Sequence, residues 1–127
     1  MSLRVEGQIT FFYYRNLAAA EHFDSETMGF EKVIDLDFAK VFRIANGANV
    51  GIVGEGGYLK PGNEKPVMLT VIVEDADAWY SKLSRIGVGV NHPPQQQEYL
   101  DMRGFLTWDP EGYVIEILEF RKKPYGK

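Results

Sequence analysis

Apolar and polar residues change their period along this chain in an order that occurs twice. Residues 7–14, GQITFFYY, are β-branched and aromatic and read as a strand. The strand breaks at Arg15-Asn16. Asn16 is a good N-cap for a helix from Leu17 to Met28, because Leu17, Ala20 and Phe23 recur at helical spacing and Gly29 can take the left-handed position past the last turn. Further along, PVMLTVIVE is a second strand and Asp75 a second cap. Ala76, Trp79, Leu83 and Ile86 then form an apolar helical stripe that stops at Gly87. The two caps and the two terminating glycines are offset by roughly 60 residues each, which marks an internal repeat.

Each predicted helix leads into short strands joined by turns. After the first come KVIDLDF, KVFRIA, an Asn46-Gly47 hairpin signal and NVGIVGE; after the second come GVGVNH, GFLTW, an Asp109-Pro110-Glu111-Gly112 turn and YVIEILEF. Each half is therefore strand, helix, strand, strand, strand. The chain divides into a first module over 7–55, a linker over 56–66, a second module over 67–120 and a tail over 121–127. Pro93 to Met102, rich in Pro, Gln and charge, reads as a long loop. The class is α+β, two βαβββ modules whose sheets form a cupped, incomplete β-barrel with the helices outside.

Composition narrows the function. A chain of 127 residues with a net charge of -4 has no basic face to draw nucleic acid or an anionic membrane, so neither is expected as a partner. Arg121-Lys122-Lys123 reads as a solvated tail. Absence of cysteine removes thiolate nucleophiles, disulfides and Cys-based metal sites and suits a reducing compartment. Met1 to Gly7 has no signal-like pattern and no apolar run is long enough for a membrane helix, so the expected location is cytoplasmic.

The pattern NLAAAEHFDSETMGFEKV, followed much later by DPEGYVIEI, resembles the vicinal oxygen chelate superfamily, which includes glyoxalase I, bleomycin-resistance proteins and extradiol dioxygenases. The resemblance covers nearly the whole chain, and the Asp-Pro-x-Gly-x-x-Ile-Glu ending is its most specific part. Asp24 departs from it, standing where the family commonly has an aromatic residue. The resemblance implies paired βαβββ modules cupping a ligand or metal site, and a homodimer. It also implies metal ligands early in each module's first strand and in its last strand. Here those positions fall at Ile9 and Met68, near Gly51, and on Glu116. Only Glu116 can coordinate a hard divalent ion, and one carboxylate cannot make a three- or four-ligand site. No metal and no other cofactor is expected.

His22 on the first helix and His92 before Pro93-Pro94 have no ligand spacing and read as ordinary surface or cap residues. Alternation places Ile9, Phe11 and Tyr13 on one face of the first strand, and Met68, Thr70 and Ile72 on one face of the fourth-from-last; the resemblance makes these the concave faces. If the Asp109 turn is a three-residue hairpin with Gly112 left-handed, Leu106 faces Glu116 and Trp108 faces Val114. The expected ligand-binding set is Ile9, Phe11, Tyr13, Met68, Thr70, Leu106, Trp108, Val114 and Glu116, with Glu116 a lone acid in an aromatic-lined cup. Whether Arg43 joins them depends on the length of the Asn46-Gly47 loop. The leading function is metal-independent binding of a small, partly aromatic molecule. The alternatives are a lyase, isomerase or dioxygenase-type enzyme using Glu116 as base or metal ligand, and a non-catalytic assembly module with a filled cup.

Overall fold

The structure is a computed structural model that describes residues 3–97 and 101–122. Its chain divides into two compact units, Met1–Asn63 and Glu64–Lys127. In the first, strand β1 (Gln8–Tyr13) leads to α1 (Leu17–His22) and then to β2 (Glu31–Asp35), β3 (Ala39–Ala45) and β4 (Ala48–Val53). In the second, β5 (Met68–Ile72) leads to α2 (Ala76–Arg85), β6 (Gln95–Gln97), β7 (Met102–Trp108) and β8 (Val114–Phe120). The sheets have strand orders β1-β4-β3-β2 and β5-β8-β7-β6, the same topology twice. In each, the outermost first strand runs parallel to the last strand and the other neighbours are antiparallel.

Both helices start as their sequences dictate. Asn16 Oδ1 accepts from the Ala19 amide and Asp75 Oδ1 from the Ala78 amide, each at 3.0 Å, satisfying an amide that has no partner inside the first turn. A second carboxylate serves α2: Glu119 Oε1, from β8, accepts from the Ala76 amide at 2.8 Å. The first helix departs from expectation after His22. Phe23–Thr27 is π-helical, with the Met28 amide bonded to the Phe23 carbonyl, and Gly29 closes it at φ 76°. The extra residue per turn is invisible to a test for helical period.

Alternation along the strands divides each sheet into a packed face and a helix-free face. Phe12, Tyr14, Phe42, Val50 and Ile52 are buried on the helix side of the first sheet, with Ala20, Phe23 and Met28. In the second, Val71, Phe105, Ile115 and Ile117 are buried on the side of Ala76 and Leu83, and Tyr80 meets Phe105 edge to face at 5.5 Å. Full burial of an aliphatic chain such as Ile52 or Ile117 contributes roughly 1.5–3 kcal/mol. The α2 stripe is shorter than predicted. Trp79 is half-exposed beneath Lys82, whose ammonium stands 4.9 Å from the ring centre, and Ile86 is exposed because the helix has already ended before Gly87.

Two corrections concern the segment after α2. GVGVNH is not a strand: it meets β7 through an isolated Val90–Thr107 bridge, Thr107 Oγ1 donates to the Gly89 carbonyl at 2.6 Å, the Asn91 amide donates to the Leu106 carbonyl at 3.0 Å, and the Asn91 side chain accepts from the Leu106 amide at 2.8 Å where a strand would offer a carbonyl. The third element of this module is instead β6, inside the predicted loop, and residues 98–100 of that loop lie outside the described residues. In the expected tail, Arg121 is exposed yet paired with Asp101 at 2.6 Å, while 123–127 lie outside the described residues.

Candidate functional site

The Asp109 turn fixes the register of the second sheet. Asp109 Oδ1 accepts from the amides of Glu111 and Tyr113, both at 3.0 Å, and the Asp109 amide donates to the Tyr113 carbonyl at 3.1 Å. Pro110, Glu111 and Gly112 thus form a three-residue loop, with Gly112 at φ 90°, a value that glycine takes at least cost. Trp108 therefore pairs with Val114 and Leu106 with Glu116, as the sequence predicts, and β5 adds Met68 beside Val114 and Thr70 beside Glu116. These six side chains share the helix-free face. Met68 and Trp108 are 50% and 39% exposed, a large apolar surface for a sheet of this size.

Glu116 sits in the middle of that face, half-buried, and has a hydroxyl neighbour that the sequence did not reveal. Thr70 Oγ1 donates to its Oε1 at 2.8 Å. Each carboxylate oxygen has two lone pairs, so Oε2 and the remaining capacity of Oε1 can accept from a guest. Beside Glu116 a recess of about 200 Å³ opens, walled by Asn91, His92, Gln97, Leu106 and Leu118. His92 is the residue that reading for ligand spacing missed. Its Nδ1 lies 2.7 Å from the Pro93 carbonyl, which can only accept, so Nδ1 carries the hydrogen and Nε2 is left as an acceptor in the neutral ring.

The first module carries its counterpart on the first sheet. Ile9 pairs with Asn49, Phe11 with Gly51 and Tyr13 with Val53, so the three predicted side chains do share the helix-free face. Ile9 and Phe11 are exposed and Tyr13 is half-buried. The Phe11 ring lies so closely over Gly51 that a side chain there would have to displace it. The Asn46-Gly47 loop has two residues, and a bulge follows Arg43. Arg43 pairs across to Asn49 and so lies on the Phe11 face, where its guanidinium binds Glu31. The orientation of Arg43 that the sequence left open is thereby settled.

A divalent metal does not fit the family-type positions. Ile9 and Met68 have no donor, Gly51 has no side chain, and Glu116 is engaged with a hydroxyl. Among the described residues no group of three or more His, Asp or Glu could hold a metal ion.

A family model described as Glyoxalase/Bleomycin resistance protein/Dioxygenase superfamily matches residues 6–117, and the chain belongs to that superfamily. Among solved structures, a member of the superfamily from Sphaerobacter thermophilus DSM 20745 superposes with TM-score 0.74 at 22% identity, covering 91% of this chain and 98% of that one. Lactoylglutathione lyase from Agrobacterium tumefaciens gives 0.72 at 18% identity, with 87% and 90% covered. TioX from Micromonospora sp. ML1 gives 0.72 at 18%, with 89% and 97% covered. At these identities the likeness is one of fold. No curated protein matches the chain. No helix among the described residues is long and apolar enough to cross a membrane.

Proposed function

We propose that the protein is a metal-independent binding protein for a small, planar, partly aromatic molecule. The observation that supports this reading is one carboxylate, held by a hydroxyl, within an exposed apolar sheet face. Glu116 is aligned by Thr70, and Met68 and Trp108 stand exposed beside it. Each aromatic stacking contact adds roughly 0.5–1.5 kcal/mol beyond burial, and an ionised carboxylate adds selectivity for a donor-bearing group.

Titration with aromatic amines tests the reading through tryptophan fluorescence. Trp108→Phe should lose most of the signal, whereas Trp79→Phe, on the far side of the sheet, should keep it. Glu116→Gln should weaken cationic aromatic guests about tenfold, in proportion to a charge-assisted hydrogen bond, and neutral ones little. Binding unchanged in Glu116→Gln with a signal that follows Trp79 would refute it. Elemental analysis after dialysis is expected to find no stoichiometric divalent ion, and one zinc, nickel or iron per chain would favour a metal enzyme instead.

The same reading includes a two-fold homodimer. Edge strand β2 and the turn after it leave Val33, Ile34, Leu36 and Phe38 exposed, and exposed edges are usually paired or covered. Light scattering at micromolar concentration tests it, a clean monomer being the contrary result.

A further inference from the structure

The recess beside Glu116 has a chemistry more specific than an apolar face with an acid on it. Two side chains from separate elements bring acceptors to one small space: Glu116 from β8, and His92 from the segment between α2 and β6. Each is oriented by a hydrogen bond that leaves its other acceptor unused. Thr70 takes one lone pair of Glu116 Oε1, and the Pro93 carbonyl takes the hydrogen on His92 Nδ1, so that in the neutral ring the Nε2 lone pair is left. Asn91, also on the wall, has its oxygen committed to the Leu106 amide, so it brings no free acceptor to the recess, only the donors of its amide nitrogen. The wall also includes the apolar chains of Leu106 and Leu118 and the amide of Gln97, and about 200 Å³ leaves space for a small group only.

From this geometry we infer that the recess of the second module recognises a planar N–C–N cation, an amidinium or guanidinium group, with Glu116 binding its charge and His92 Nε2 accepting an N–H that the carboxylate does not reach. This inference rests on the proposed binding function and names the head group of its ligand. A flat cation with several diverging N–H donors satisfies both acceptors at once. A tetrahedral ammonium concentrates its charge at one point, and a neutral amide of the same shape replaces one donor edge with an oxygen that would face acceptors.

Benzamidine, benzylamine and benzamide make the probe set, with calorimetry for affinity and NMR for contact. Only two histidines occur in the chain, so the imidazole signals of His22 and His92 are readily told apart by one substitution. Benzamidine should bind at least about tenfold more tightly than either of the others, the scale of one charge-assisted hydrogen bond. It should shift the His92 imidazole signal and leave that of His22 in place. His92→Leu should weaken benzamidine about tenfold and level the preference over benzylamine, while His92→Gln, which keeps an acceptor, should retain part of it; unfolding midpoints of both variants should match the parent. If benzamidine binds through Glu116 but with no His92 shift and no loss in His92→Leu, the head-group assignment is wrong and the binding function stands. If none of the three probes nor any aromatic amine binds, both fail.

Discussion

The two modules share a topology and a capping chemistry, yet they treat the same position of the helix-free face in opposite ways. In the first, Phe11 pairs with Gly51 and its ring covers the glycine; in the second, Thr70 pairs with Glu116 and its hydroxyl binds the acid. The backbone geometry at the two places is alike, parallel strands in the same order, so the difference is made by side chains alone. One module closes the position with an apolar ring and the other keeps it polar and able to accept. Duplication of a fold therefore does not duplicate a site. The candidate chemistry is gathered in the second module, with His92 and the recess, whereas Arg43 and Glu31 on the first module's face are paired with each other.

The glycines give the largest test of that contrast. A Cβ at Gly104 would run into the carbonyl oxygen of Ile117, part of the sheet backbone, and would stand 3.1 Å from Leu118 Cδ1. Gly104→Ala should therefore cost about 3 kcal/mol in urea unfolding. A Cβ at Gly51 would meet only the Phe11 ring, which is 45% exposed and can swing outward, so Gly51→Ala should stay within about 1 kcal/mol of the parent. Equal losses at the two positions would mean that Phe11 is as fixed as backbone and that the first face is closed by design rather than by a movable ring.

A smaller effect should come from the helix starts. Asn16→Ala removes a cap bond and should cost about 1 kcal/mol. Asp75→Ala should cost less than Asn16→Ala, because Glu119 still binds the Ala76 amide at the start of α2. Thermal unfolding of the two variants checks the order, and a greater loss in Asp75→Ala would show that Glu119 does not substitute.

The smallest effect is in acid and base, and it is confined to the first module. Lys40, and after it Lys32, hydrogen-bond Asp35 and hold its carboxyl below the usual aspartate range. Its contribution to stability is complete above that range and is lost as pH falls through the depressed value. Glu21 first, then Asp35, hold the Lys32 ammonium above the usual lysine range, so its contribution is complete below that range and is lost as pH rises through the raised value. These exposed groups should give only a shallow decline at the two extremes, and Asp35→Asn should flatten the acid limb. A steep change near neutral pH in the parent that Asp35→Asn removes would contradict this.

What was legible in the sequence was whatever short-range chemistry decides. Asn16 and Asp75 announce their helices through one side chain and one amide, and Asp109 with Gly112 sets a register that places Leu106 and Trp108 correctly. Parts that depend on partners distant in sequence were not. β6 is Gln95-Gln96-Gln97, a polar edge strand that has no apolar alternation to reveal it. The hydroxyl that Thr70 gives to Glu116 joins residues 46 positions apart. His92 has no spacing along the chain that would mark it, because its place on the same recess as Glu116 is set by the path of the segment after α2. A signal did exist: His-Pro leaves a carbonyl free of helix or strand, well placed to hold a neighbouring ring.

The parallel pairing of each module's first strand with its last also sets an order of assembly. β2, β3 and β4 are joined by short turns and can zip locally, but β1 must return to β4 across a large part of the module, as the bond between Asn49 and Gln8, 41 residues apart, illustrates. The meander is then expected to form early, and β1, like β5 in the second module, to dock late. Amide protons of β1 and β5 should accordingly exchange with solvent through partial openings that leave β3, β4, β7 and β8 protected. Since Thr70 rides on β5, the same order would bring the hydroxyl that steadies Glu116 with the last strand, so that the acceptor site is complete only when its module is closed.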